Sequence, residues 1–125
     1  MTHGFGSCPQ CSSRMVVERL SCWRCGTEVT GRLGVPLLAR LPAELADFVR
    51  ELLLANGSLS ATQERMGCSY PKVRRLLDDV MATLRKEIEA DLVAKEDVLG
   101  ALEAGRLEAA EAVKLIRGLA GKEAP

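Results

Sequence analysis

The stretch Ser60-Ala61-Thr62-Gln63-Glu64-Arg65-Met66-Gly67-Cys68-Ser69-Tyr70-Pro71-Lys72-Val73-Arg74-Arg75-Leu76-Leu77 decides the fold. Its first four residues fit a capping box, in which Ser60 caps a short helix running to about Met66 and Gln63 reaches back to the cap. Gly67 ends that helix, and Ser69 is placed to cap another, with Pro71 tolerated in its first turn. Two helices separated by Gly67-Cys68-Ser69 predict a helix-turn-helix whose second helix is the reader. Cys68 suits the turn as a small, inert hydrophobe; the alternative is a redox-sensing thiol that releases DNA.

Upstream, Pro42 suits the first position of a preceding helix, and Glu44 lies in its first turn, where the helix dipole favours an anion. Leu45, Phe48, Val49 and Leu52 recur at i, i+3, i+4 and i+7, one apolar face that stops at Asn56-Gly57. Downstream, Val73, Leu76 with Leu77, Val80, Leu84, Ile88 and Leu92 mark a buried stripe along the reader helix. A trihelical domain over residues 37–93 follows. Between Arg65 and Leu77 stand Arg65, Lys72, Arg74 and Arg75 and no acid. A reader helix enters the major groove by its N-terminal end, so Tyr70, Lys72 and Arg75 are expected at base edges and Arg74 and Arg65 at phosphates, with Ser69 beside them. The competing reading is a protein-interaction module with a solvated basic face.

Nearer the N-terminus, Cys8-Pro9-Gln10-Cys11 and Cys22-Trp23-Arg24-Cys25 are two CxxC pairs. Such a turn sets two thiolates on one side of the backbone at the separation a tetrahedral ion requires. Cys8, Cys11, Cys22 and Cys25 are therefore the expected ligands of one structural zinc ion. Met15 to Leu20 and Thr27 to Thr30 suit short strands, giving a zinc ribbon over residues 1–36 that ends in a linker at Gly31 to Pro36. So few large apolar residues cannot offset the ordering entropy from a core, whereas a structural zinc supplies about 10–16 kcal/mol of coupled binding and folding. The rival, thioredoxin-like redox chemistry, wants one CxxC opening a helix in a βαβ unit, and no such unit is present. His3 is a conceivable ligand, but four thiolates saturate the ion. Arg14, Arg19, Arg24 and Arg32 outnumber Glu18 and Glu28, which allows a weak phosphate contact. Trp23 is expected to cap the ribbon's small apolar face, the alternative being contact with a partner.

From about Ala94 the chain becomes alanine- and glutamate-rich. Asp97 to Gly105 reads as one short helix and Ala109 to Leu119 as a second, a hairpin within residues 94–125 whose members are too short to be stable alone. The hairpin packs either within the chain or on another copy, which makes it a candidate oligomerisation element, with a dimer the favoured assembly.

The 125 residues carry 17 basic and 17 acidic side chains, so any contact with an anion is local rather than a histone-like coat. Aromatics are 3% of the chain, too few for the stacking platform of single-strand binders. No apolar run approaches the roughly 20 residues that span a bilayer, and the N-terminus lacks the pattern of an export signal, so a cytoplasmic protein without membrane contact is expected. Five cysteines in that setting argue for metal rather than disulfides. No nucleophile–base pair or phosphate-cradling loop appears, so no enzyme activity is expected.

The order CPxC…CxxCG, then Leu41-Pro42-x-Glu44-Leu45-x-x-Phe48, then Ser69-Tyr70-Pro71-Lys72-Val73-Arg74-x-x-Leu77-Asp78, resembles the bacterial DUF2089 family. Its members look like a zinc ribbon joined to a helix-turn-helix similar to region four of sigma factors. The family usually carries threonine where this chain has Lys72, so base preference does not carry over. Glu103 to Ala112 is similar to SHOCT-like helical hairpins, with Glu108 in place of the usual capping serine or threonine. The resemblance implies a transcription regulator. The expected fold is mainly α, with a small N-terminal β zinc ribbon, a helix-turn-helix trihelical domain and a C-terminal helical hairpin. The expected function is zinc-dependent binding of duplex DNA. The alternative is an adaptor that contacts a sigma factor or RNA polymerase through the same helices and the ribbon.

Overall fold

In the computed structural model, which describes residues 7–11 and 13–119, the chain is mainly α with a small N-terminal sheet. Strands β1 (Val16–Ser21) and β2 (Glu28–Gly34) lead through a short 3-10 helix (Leu37–Arg40) into α1 (Ala43–Leu54), α2 (Leu59–Met66), α3 (Tyr70–Glu103) and α4 (Ala109–Leu119). The strands pair antiparallel, with Leu20 opposite Val29 and Val16 opposite Gly34. β2 thus consumes Gly31 to Gly34, and the linker expected from Gly31 to Pro36 shrinks to Val35-Pro36. Trp23 does not cap an apolar face of this ribbon. It sits in the turn between the strands, outside the ladder, and is 94% exposed.

Pro42 takes the cap position of α1, one residue before the helical position expected for it. At α2 the cap is Ser58 rather than Ser60: Ser58 Oγ accepts a hydrogen bond from the Ala61 N–H at 3.2 Å, and Ser60 falls inside the first turn. The turn through Asn56 and Gly57, both at positive φ, delivers the chain to Ser58 in the extended conformation a cap needs. α2 ends on Gly67 in the left-handed conformation at φ 64, a geometry glycine adopts without a Cβ clash. Ser69 caps α3 as expected, its Oγ accepting from the Lys72 N–H at 3.3 Å.

Leu41, Leu45, Phe48, Val73, Leu76 and Val80 form the core of the three helices, flanked by Val49, Leu52, Cys68, Leu77 and Leu84. Phe48 and Val73 are fully buried, and each such side chain removed from water contributes about 1.5–3 kcal/mol. Thr62 is also fully buried, and its hydroxyl donates to Ser58 O at 2.7 Å, which satisfies the one polar group placed in this core from α2.

α3 runs unbroken for 34 residues, so the separate helix expected at residues 97–105 is its C-terminal end. No proline interrupts it beyond Pro71, and the shift toward alanine and charge at Ala94 keeps good helix formers in place. Ile88 and Leu92, expected in the buried stripe, are 50% and 57% exposed. Past Leu84 the inward face carries Glu87, Asp91 and buried Ala94 instead.

The chain turns at Gly105, and α4 returns to pack on both α3 and β2, so of the two packings open to the hairpin the structure shows the one within the chain. Gly118 permits that approach, because a Cβ there would lie 3.3 Å from Arg32 O and 3.5 Å from Val16 Cγ1. Arg32 reaches across to Glu111 at 3.1 Å. Among the described residues no helix is long and apolar enough to cross a membrane.

Candidate metal centre and nucleic-acid interface

Each CxxC pair is set by its own backbone turn. The Cys8 N–H donates to Ser13 O at 2.8 Å, and the Gln10 N–H points at Cys8 Sγ, 3.4 Å away. In the second turn the Cys22 N–H donates to Thr27 O and the Gly26 N–H to Cys22 O, both at 2.8 Å, while Cys25 Sγ lies 3.0 Å from Thr27 Oγ1. These donors favour the anionic form of sulfur. The backbone N–H groups of Cys11 and Gln10 hold the Cys8 thiol below its ordinary value. The Thr27 hydroxyl, then the Thr27 N–H and the Cys22 thiol, bring Cys25 down to about 7.

The thiols of each pair are brought together, but the two pairs are not: among the described residues no three Cys, His, Asp or Glu side chains gather closely enough to hold an ion. The knuckles are linked only through two strands whose faces are largely exposed, so no core draws them to a common centre. Two CxxC turns with amide-stabilised sulfur suit a soft divalent cation such as zinc. His3, the other ligand considered, lies outside the described residues.

Arg14 is not a phosphate contact. Its guanidinium leaves the ribbon for α3, where Nε meets Asp91 Oδ1 at 2.7 Å, Nη2 donates to Glu87 O at 2.9 Å and Nη1 pairs with the Glu87 carboxylate. Arg40 enters from the 3-10 helix and takes the other Asp91 oxygen at 2.7 Å; it also donates to Val35 O at 2.8 Å and Leu119 O at 3.3 Å. The two arginine side chains are 4% and 5% exposed. Glu87 Oε2 is paired by charge with both guanidiniums yet has hydrogen-bond geometry with neither. This quartet ties ribbon, linker, α3 and α4 together, and reading the sequence did not find it. The available signal was two acids four residues apart, Glu87 and Asp91, on the same face as Val80 and Leu84.

At the other end of α3, Ser69, Tyr70, Lys72, Arg74 and Arg75 are all exposed, as is Arg65 in the last turn of α2, while Val73 and Leu76 on the same stretch of α3 are buried. The first turn of α3 holds no acid. The six do not stand equally free. Arg65 Nε is held by Glu51 Oε2 at 2.8 Å across the α1–α2 corner, whereas Arg74 Nε stands 4.0 Å from Asp78. Lys72 and Arg75 make no ion pair among the described residues. Cys68, half-buried, packs against the core from the turn.

Two family models match the chain. Residues 8–35 match the DUF2089 zinc ribbon, and residues 41–87 match the domain of unknown function (DUF2089)-HTH, together more than half of the sequence. No curated protein and no solved structure matches.

Proposed function

The chain belongs to the DUF2089 family, and from that premise we propose that it is a zinc-containing transcription regulator that binds duplex DNA through the N-terminal end of α3. One observation carries this reading: Ser69, Tyr70, Lys72, Arg74 and Arg75 all face solvent at the N-terminal end of α3, which has no acid in its first turn, and Arg65 is exposed in the last turn of α2 just before it. The helix N-terminus adds positive partial charge where a phosphate would lie. Tyr70, Lys72 and Arg75 reach base edges; Arg74 and Arg65 meet phosphates.

Cys8, Cys11, Cys22 and Cys25 hold one structural zinc, which fixes the two knuckles relative to each other. The protein is not an enzyme, and it acts in the cytoplasm as a homodimer. Support for the dimer comes from α3, where Met81, Ile88, Leu92 and Leu99 are exposed. At about 100° per residue their spacing returns each to within roughly 20° of one line, an apolar seam suited to a second copy.

The test is selection of the zinc-loaded full chain against a random duplex DNA pool at near-physiological salt. Enrichment of an inverted repeat, with half-sites separated by whole helical turns, is the expected result. No enrichment from folded, metal-bound protein overturns it.

A second reading is favoured by the ribbon. Trp23 is 94% exposed, and Leu20 and Val29, directly opposite each other in the ladder, are more than half exposed. An adaptor that contacts a sigma factor or RNA polymerase would use this apolar end. In that case Trp23→Ala abolishes capture of the partner while Arg75→Ala leaves it intact.

A further inference from the structure

We propose that Arg14 is a latch through which metal occupancy of the Cys8–Cys11 knuckle is coupled to the distal half of α3 and to α4; the proposal rests on the zinc reading above. Arg14 follows the first CxxC pair closely, and its backbone bridges to Ser7, the residue before Cys8. The loop between them is closed by the hydrogen bond from the Cys8 N–H to Ser13 O at 2.8 Å. What positions the Arg14 backbone is therefore the knuckle itself, in a ribbon whose strands are largely exposed. The Arg14 side chain, by contrast, is 4% exposed and makes its ion pairs with the neighbouring helix α3. It meets Asp91 Oδ1 at 2.7 Å and Glu87 O at 2.9 Å, and touches Ser7 Oγ at 3.5 Å.

The quartet is neutral only while both arginines are present. Withdrawal of Arg14 leaves Glu87 and Asp91 with the single guanidinium of Arg40, which also holds Leu119 O at the end of α4. An uncompensated buried charge is costly, so the quartet loosens and α4 loses its tie. An ion that fixes Cys8 and Cys11 fixes the loop that presents Arg14, and thereby favours the closed quartet. Linkage is reciprocal: whatever zinc does to the quartet, the quartet does to zinc affinity by the same factor. Asp91, on a helix and far in sequence from every cysteine of the ribbon, should then be a determinant of metal affinity.

The experiment is a zinc competition titration of the full chain with a chromogenic chelator, on the wild type, Arg14→Gln, Asp91→Asn and the double variant. Each single substitution is expected to weaken zinc binding by about fivefold or more, the usual scale of coupling between sites, and the double to weaken it no further than the weaker single. Singles that bind zinc as the wild type does overturn the latch and leave the metal site standing. A wild type that takes up no zinc overturns the metal reading itself. Should either variant fail to fold, hydrogen exchange on the wild type decides the matter. Chelation is expected to raise exchange across residues 87–103 and 109–119 more than in α1, and unchanged exchange there overturns the latch.

Discussion

Arg14 Nε and Asp91 Oδ1 meet at 2.7 Å, a bond that joins the first turn of an exposed ribbon to the middle of the longest helix. The second Asp91 oxygen is held at the same distance by Arg40. Arg40 is the more embedded of the two cations, because it also satisfies the carbonyls of Val35 and Leu119. Replacing it with methionine keeps the stem and removes every one of those contacts. Breaking a buried pair by removing one partner costs about 3–5 kcal/mol. Urea denaturation should register a loss of that size for Arg40→Met, against under about 0.5 kcal/mol for Arg50→Met, whose side chain is 62% exposed. A loss of less than about 1 kcal/mol for Arg40→Met would mean that water already screens the quartet.

The caps give a sharper comparison, because three serines of similar exposure are assigned different roles. Ser58 and Ser69 accept backbone hydrogen bonds at 3.2 and 3.3 Å, whereas Ser60 is a helical residue in the first turn of α2. Ser58→Ala and Ser69→Ala should each cost about 1 kcal/mol, and Ser60→Ala, which trades serine for a better helix former, should cost nothing. Chemical denaturation of the three variants checks this. A penalty at Ser60 with none at Ser58 would restore the capping box that the sequence suggests.

That pair of serines shows where local pattern stops being informative. Ser58 and Ser60 both precede helix formers, and only the path of the chain through Asn56 and Gly57 chooses between them. The helix-turn-helix was legible because its signals are short-range: a cap at Ser69, a stop at Gly67, and an apolar period from Leu45 to Val80. Both CxxC pairs were legible for the same reason. The end of α3 was not, since composition at Ala94 changes without a proline or a glycine to stop the helix, and Gly105 is the residue that does. Arg14 was misread because its partners lie on α3, and no spacing in the sequence brings a ribbon arginine to a helix acid.

The Arg65–Glu51 contact predicts a pH dependence. The Arg65 guanidinium, hydrogen-bonded to the Glu51 carboxylate and assisted by Arg50, holds that carboxyl below its ordinary 4.5. A depressed carboxyl favours the folded state above the unfolded value, and that contribution is lost as pH falls through the folded value. Carboxyl carbon NMR should therefore place the Glu51 midpoint below 4.5 in the wild type and return it toward 4.5 in Arg65→Ala. A midpoint that does not move would mean that the ion pair is not formed in solution.

The same contact separates the cations proposed to meet DNA. Arg74 has only a loose, exposed neighbour in Asp78 at 4.0 Å and is free to neutralise a phosphate, so Arg74→Ala should reduce the slope of log affinity against log salt by about one. Arg65 is already engaged by Glu51 at 2.8 Å, and its loss should change the slope by less. Conversely, Glu51→Gln releases Arg65 and should steepen the slope. Arg75, with no ion partner among the described residues and assigned to a base edge, should on truncation cost about 1–3 kcal/mol at the selected site and relax its sequence preference. Salt titrations of the four variants on one duplex distinguish these roles. If Arg74→Ala and Arg75→Ala both leave slope and preference unchanged in folded protein, this end of α3 does not read DNA, and the exposed Trp23 end of the ribbon becomes the surface to follow.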